Sequence, residues 1–299
     1  MAVSNLFRGT GVAMITPFQK NGEIDFDRLT LHTDRLINHG IGYLVVLGTT
    51  AETPTLSIKE KEEVLNCVIK ACGNRIPVMA GVGGNDTRAV TEALKSRWLK
   101  GVHGILSVSP YYNKPTQEGI YQHFAAVTSV SESPVMLYNV PGRTSSNISA
   151  ETCIRLATDF QETIIGIKEA SGDFTQVMDI IRERPDGFIV ASGDDAIALP
   201  MISAGGDGVI SVIGNAYPSL MSTMVAAALD GSYEKARELH YSLFPMMKAI
   251  FMEGNPAGVK ASMEIQGWIE NSLRLPLIPV TNRLYEEIAQ LDSLLQRSD

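Results

Sequence analysis

Short apolar runs recur eight times before residue 215, and a longer segment with helical spacing and a polar face separates each from the next. The runs are GVAMITP from 11, GYLVVLGTT from 42, IPVMAGV from 76, GILSVSP from 104, PVMLYNV from 134, IIGIKEA from 164, FIVASGD from 188 and GVISVIG from 208. Their starts lie about 20 to 34 residues apart, room for one strand, one helix and two short loops. In SIKEKEEVLNCVIKACG, Ser57 stands where a helix N-cap belongs and Gly73 where the helix should stop; TRAVTEALKSRWLKG reads as another helix. Near-continuous apolar strands alternating with amphipathic helices describe a parallel sheet covered on both faces. Eight such units fit a closed barrel better than an open doubly wound sheet. The expected fold is therefore α/β, a (β/α)8 TIM barrel over residues 1–230. From Ser232 the strand signal stops and three helical patterns follow, a C-terminal helical extension over residues 231–299.

Composition narrows the function. The apolar runs are too short to span a bilayer, so no membrane segment is expected. The N-terminal residues lack a basic start and a long apolar stretch, and cytoplasmic residence is the default expectation. With 25 basic against 33 acidic residues the net charge is −8, which would repel DNA or RNA. Cys67, Cys72 and Cys153 form no CxxC pair and read as reduced, mostly buried thiols. The five histidines make no HxH or HExxH pattern, so a His-rich metal site is not expected.

In such a barrel, chemistry gathers at the carboxyl ends of the strands. Those ends hold Gly48-Thr49-Thr50-Ala51-Glu52, then Ser109-Pro110-Tyr111-Tyr112-Asn113, Tyr138-Asn139-Val140-Pro141-Gly142-Arg143, Lys168-Glu169 and Ser192-Gly193-Asp194-Asp195. Lys168 interrupts an aliphatic run. Alternation puts Ile164, Gly166 and Lys168 on one face, with the glycine leaving space for the lysine stem. Apolar shelter disfavours a lysine's charged form, and a neutral amine attacks carbonyls, which makes Lys168 a candidate imine-forming nucleophile. The competing reading is a strand-end lysine that snorkels to water or pairs with Glu169.

Imine chemistry needs an acid/base facing the new bond. Tyr138 is placed for that, and Thr49 and Tyr112 could relay its proton; packing is the ordinary role of such residues. Gly48-Thr49-Thr50 offers amides and hydroxyls to a small carboxylate. Arg143, with its planar fork, is a candidate for a second carboxylate, or else a solvated loop residue. Asp194 and Asp195 read as turn and cap residues, and Gly205-Gly206 precedes the eighth strand, away from the chemistry.

Taken together, GTTAET, SPYYNKP, YNVPGRT, IKEASG, SGDD and GVISVIGN, in this order, resemble the pyruvate-dependent class I aldolases of the dihydrodipicolinate synthase and N-acetylneuraminate lyase family. The similarity extends over NPAGVKASM and LRLPLIPVT and so covers nearly the whole chain. It implies Lys168 as the Schiff-base residue, Tyr138 as acid/base, and Thr49 and Tyr112 as the proton relay, Tyr112 reaching into a neighbouring subunit. It implies that Thr50 joins Thr49 on the pyruvate carboxylate, that Gly193 and Ile210 lie near substrate and lysine, and that no cofactor or metal takes part. Arg143 matches the synthase branch, whose second substrate is L-aspartate 4-semialdehyde, over the sialic-acid or keto-deoxy-sugar lyases. The expected assembly is a tetramer built as a dimer of dimers. Ala89 and Lys61 replace an effector-binding glutamate and histidine while Asn85 and Tyr111 are kept, so weak or absent feedback by L-lysine is expected. A metal-dependent barrel hydrolase and a non-catalytic metabolite sensor are the rival classes.

Overall fold

The computed structural model describes residues 3–295; residues 1–2 and 296–299 of the two expected spans lie outside it. Eight parallel strands close into a barrel in sequence order. They are β1 (Gly9–Ala13), β2 (Tyr43–Val46), β3 (Val78–Gly81), β4 (Gly104–Val108), β5 (Val135–Asn139), β6 (Ile164–Glu169), β7 (Ile189–Ser192) and β8 (Gly208–Ser211). Each overlaps one of the apolar runs, β1 starting two residues before its run and ending at Ala13. Closure comes from β1 pairing with β8, Gly9 opposite Gly208 and Val12 opposite Ser211.

The wall outside the strands is helical: α1 (Phe26–Asn38), α2 (Ile58–Cys72), α3 (Thr87–Leu94), α4 (Gln117–Thr128), the single turn α5 (Pro141–Thr144), α6 (Ala150–Asp159), α7 (Phe174–Glu183), α8 (Ala198–Ser203) and α9 (Pro218–Leu229). Ser57 caps α2 as its sequence implied: its hydroxyl accepts from Glu60 N while the Glu60 carboxylate accepts from Ser57 N. That reciprocal pair is worth about 1 kcal/mol, and Gly73 closes the helix at φ +57°. The helix expected over residues 87–101 instead stops at Leu94, where Lys95 N turns back to Glu92 O and Ala93 O.

The barrel interior is a separate core that includes Phe7, Tyr43, Met79, Met136, Ile165 and Ile210. Phe7 plugs the amino-terminal end, its ring edge-on to Tyr43 at 5.4 Å. At the same end Asp207 pairs with Arg184 and accepts from Val190 N, the stabilising face to which the Gly205-Gly206 segment was assigned.

The C-terminal helices α10 (Tyr233–Ala249), α11 (Ala257–Ile265) and α12 (Asn282–Leu295) share one core with α8 and α9, in which Met221, Leu243, Met246, Met263 and Ile288 are buried together. The link between α11 and α12 then crosses to the carboxyl end of the barrel, where Arg274 bonds Gly22 O and Thr55 O. Among the described residues no helix is long and apolar enough to cross a membrane.

Candidate active site

Lys168 points into the barrel because β6 carries a bulge. Val135 pairs with Ile164 but Met136 with Gly166, leaving Ile165 as an extra residue. Ile165 faces the interior, whereas Ile164 and Ile167 both pack outward among the helices. Strict alternation would have put Ile165 and Ile167 on one face. The bulge resets the pattern, so Ile164 does not share a face with Gly166 and Lys168, and the sequence reading is corrected there. Gly166 is required at this point, since a Cβ would sit 2.5 Å from Ile189 O.

Lys168 is 5% exposed, and its Nζ lies 4.2 Å from the centre of the Tyr138 ring. The two residues are partners in the β5–β6 register. No carboxylate or carbonyl accepts from Nζ among the described residues, and Glu169 is engaged elsewhere. On the outer face, the Glu169 carboxylate accepts from Asn139 Nδ2 at 3.0 and 3.3 Å, Ser171 N at 2.6 Å and Gln176 Nε2 at 3.1 Å. Burial holds that carboxyl above its usual range in spite of these donors. The pairing of Lys168 with Glu169 is thereby excluded. Gly193 packs on the lysine: a Cβ there would stand 2.9 Å from Lys168 Cε and 2.6 Å from Ala170 Cβ. Ile210 is fully buried in the same interior core as Tyr138 and Ala191.

Above this pair opens a cleft of about 450 Å3 at the carboxyl end of the barrel, lined by Thr49, Tyr138, Arg143, Tyr111, Lys61 and Asn255 among others. Thr49 is half-buried at the start of a short helical turn, Thr49–Ala51, and Thr53 Oγ1 donates back to Gly48 O at 2.8 Å. Arg143 stands exposed on α5, its guanidinium making no hydrogen bond or ion pair among the described residues. Thr50 is buried directly behind Thr49. Tyr112 stays away from the others: at φ +71° its side chain is 87% exposed and does not line the cleft. Asp194 caps the turn after β7, and Asp195 accepts from Val212 N and Ile213 N, as structural roles require.

Three residues of the C-terminal extension reach this site without having been picked out as site residues in the sequence. Asn255 Nδ2 donates to Thr50 Oγ1 at 2.9 Å. Lys260, fully buried, meets Glu52 Oε1 at 2.5 Å and Ser272 O at 2.9 Å. Arg274 N reaches the other oxygen, Glu52 Oε2, at 2.9 Å. Partners more than 200 positions apart leave no local spacing to read; the signals were Asn255 and Lys260 in the largely apolar NPAGVKASM segment and Arg274 in LRLPLIPVT.

This geometry has close counterparts. A model described as the dihydrodipicolinate synthetase family matches residues 6–294. A 4-hydroxy-tetrahydrodipicolinate synthase from Parabacteroides distasonis is 50% identical over 291 residues, covering 97% of either chain. A dihydrodipicolinate synthase structure from Thermotoga maritima aligns with a TM-score of 0.94 at 40% identity, over 97% of this chain and 99% of that one. A chloride-inhibited dihydrodipicolinate synthase from Acinetobacter baumannii, solved with pyruvate, aligns with a TM-score of 0.92 at 38% identity and covers 97% of this chain and 99% of its own. With a family model spanning nearly every residue and half of all positions identical to a relative, the chain belongs to the dihydrodipicolinate synthetase family.

Proposed function

We propose that this enzyme condenses pyruvate with L-aspartate 4-semialdehyde to 4-hydroxy-tetrahydrodipicolinate, the activity named for its relatives. The observation that carries the reading is Lys168: an amine almost withdrawn from water, with no hydrogen-bond acceptor among the described residues and a phenol ring against it. An unpaired, sheltered lysine is suited to nucleophilic attack.

Lys168 Nζ attacks the pyruvate ketone, the carbinolamine loses water, and a protonated imine forms. The imine draws electrons from the methyl group, Tyr138 takes the methyl proton, and an enamine results. The enamine carbon adds to the semialdehyde's aldehyde, whose oxygen takes up a proton. The semialdehyde's amine then attacks the imine carbon, releases Lys168 and closes the six-membered ring. One water leaves for each pair of substrates, and the lysine supplies the electron sink without a cofactor. Thr49 and Thr50 hold the pyruvate carboxylate, Arg143 holds that of the semialdehyde, and Gly193 leaves room for the lysine. Thr49 and the Tyr112 of a neighbouring subunit pass the proton between Tyr138 and solvent.

Catalysis belongs to the barrel, residues 1–230, and the helical part, residues 231–299, braces its mouth. The exposure of Tyr112 supports an assembly of at least two chains, which the family resemblance extends to a tetramer of two pairs in the cytoplasm. Borohydride reduction in the presence of pyruvate tests the chemistry: the expected result is a mass increase confined to Lys168. A folded enzyme that remains unlabelled at saturating pyruvate overturns it.

A further inference from the structure

Thr50 and Asn255 come from opposite ends of the chain and meet behind the cleft. Thr50 is 1% and Asn255 8% exposed, so their contact is sheltered from water. The amide is turned with Nδ2 toward Thr50 Oγ1, at 2.9 Å. A hydroxyl has one proton and two lone pairs, whereas an amide nitrogen can only donate. Thr50 Oγ1 therefore accepts from Asn255, and its own proton is left without an acceptor among the described residues. The other end of the amide is free to meet a ligand: Asn255 Oδ1 is buried with no partner among the described residues, and Asn255 lines the cleft. The loop that carries Thr50 is fixed independently, through Thr16 Oγ1 to Ala51 O at 2.8 Å and through Lys260 to Glu52.

We propose that Asn255 is a positioning residue for the substrate carboxylate: by donating to Thr50 it commits the Thr50 proton to an anion in the cleft. This rests on the reading of Thr49 and Thr50 as the pyruvate cradle. The helical extension then takes part in substrate binding through Asn255, without touching the reacting atoms. A buried hydroxyl whose proton has fewer directions open to it is a better donor to a carboxylate than one free to rotate, because part of the ordering precedes binding.

Two replacements separate this from a merely structural role. Asn255→Asp is isosteric but can only accept at neutral pH, so it draws the Thr50 proton to itself and sets a negative charge behind the cradle. Asn255→Ala only removes atoms and frees the hydroxyl to rotate. The measurement is borohydride trapping on Lys168 at graded pyruvate, with steady-state constants for both substrates. The half-saturating pyruvate concentration should rise about tenfold or more in Asn255→Asp and several-fold in Asn255→Ala, as expected for a weakened bond to a charged group. kcat and the KM for the semialdehyde should change less than about twofold. In a Thr50→Val background, Asn255→Ala should add nothing, since the hydroxyl it orients is gone.

Unchanged half-saturation in Asn255→Ala overturns the inference, as does an additive effect in the Thr50→Val background, and either can be read even if Asn255→Asp fails to fold. Failure of the unmodified enzyme to label with pyruvate defeats the underlying function instead, so the two failures are distinguishable.

Discussion

Tyr138 and Lys168 face one another across β5 and β6 as register partners, with Nζ 4.2 Å from the ring centre. The next pair along, Asn139 and Glu169, faces the other way and is joined by the Asn139 amide. One side of the sheet thus holds the alignment that the other side uses. The phenol and the amine need no loop to bring them together, and both inherit the rigidity of the barrel wall.

Tyr138→Phe keeps the ring over the amine and removes only the hydroxyl. Turnover should fall about a hundredfold or more, the usual range for loss of a general acid/base. Borohydride trapping of pyruvate on Lys168 should persist at a reduced rate. Full activity in this variant would remove Tyr138 from proton transfer.

Gly193→Ala introduces a Cβ 2.9 Å from Lys168 Cε and 2.6 Å from Ala170 Cβ. The lysine stem is the more mobile neighbour and gives way first. Stability should drop by about 1–3 kcal/mol, the ordinary cost of overpacking, while kcat/KM falls by about a hundredfold as the amine leaves its position. Thermal melting and single-substrate trapping measured on the same sample separate the two effects.

Arg143→Ala should raise the KM for L-aspartate 4-semialdehyde by about ten- to a hundredfold, the loss expected for a charge-assisted contact. Pyruvate trapping should be unaltered, because imine formation precedes the second substrate. Equal losses for both substrates would contradict the assignment of Arg143 to one carboxylate.

His32 and His123 are buried, and desolvation lowers each from 6.5 to about 4. Both are neutral in the folded chain at pH values where the unfolded chain binds a proton. The unfolded state therefore holds more protons between about pH 6.5 and 4, and stability falls as acid is added across that window, by up to about 3 kcal/mol for each histidine. His123→Leu should flatten this slope although it loses the 2.9 Å contact with Thr87. Urea midpoints at pH 7, 5.5 and 4.5 test the expectation, and an unchanged slope would refute it.

Lys61 and Tyr111 both line the cleft, and Ala89 is exposed on α3 with no carboxylate to offer. A cationic effector would meet another cation there. L-lysine at millimolar concentration should leave the rate within about twofold of its starting value, given the repulsion of like charges at close range. Half-inhibition in the micromolar range would show that other groups bind it.

Much of this protein could be read along the chain. The eight strands follow apolar runs with turn residues at both ends, and Ser57 caps α2 as its position implied, Glu60 completing the pair. Lys168, Tyr138, Thr49 and Arg143 were legible because the barrel topology turns strand ends into neighbours. What was illegible is the long-range pairing: Asn255 with Thr50 and Lys260 with Glu52 join segments with no shared period. The face of Ile164 was misread for a different reason, since a bulge depends on pairing with β5 and not on the residues of β6 alone.

The additional residue at Ile165 makes the place of the amine depend on pairing as well as on identity. Were Ile165 taken into the ladder as an ordinary member, with Ile164 still against the helices, each later side chain would change sides and the amine would emerge on the dry side of the wall. A barrel so paired could close around an intact cleft and still be inert, its nucleophile a few ångströms away behind its own backbone.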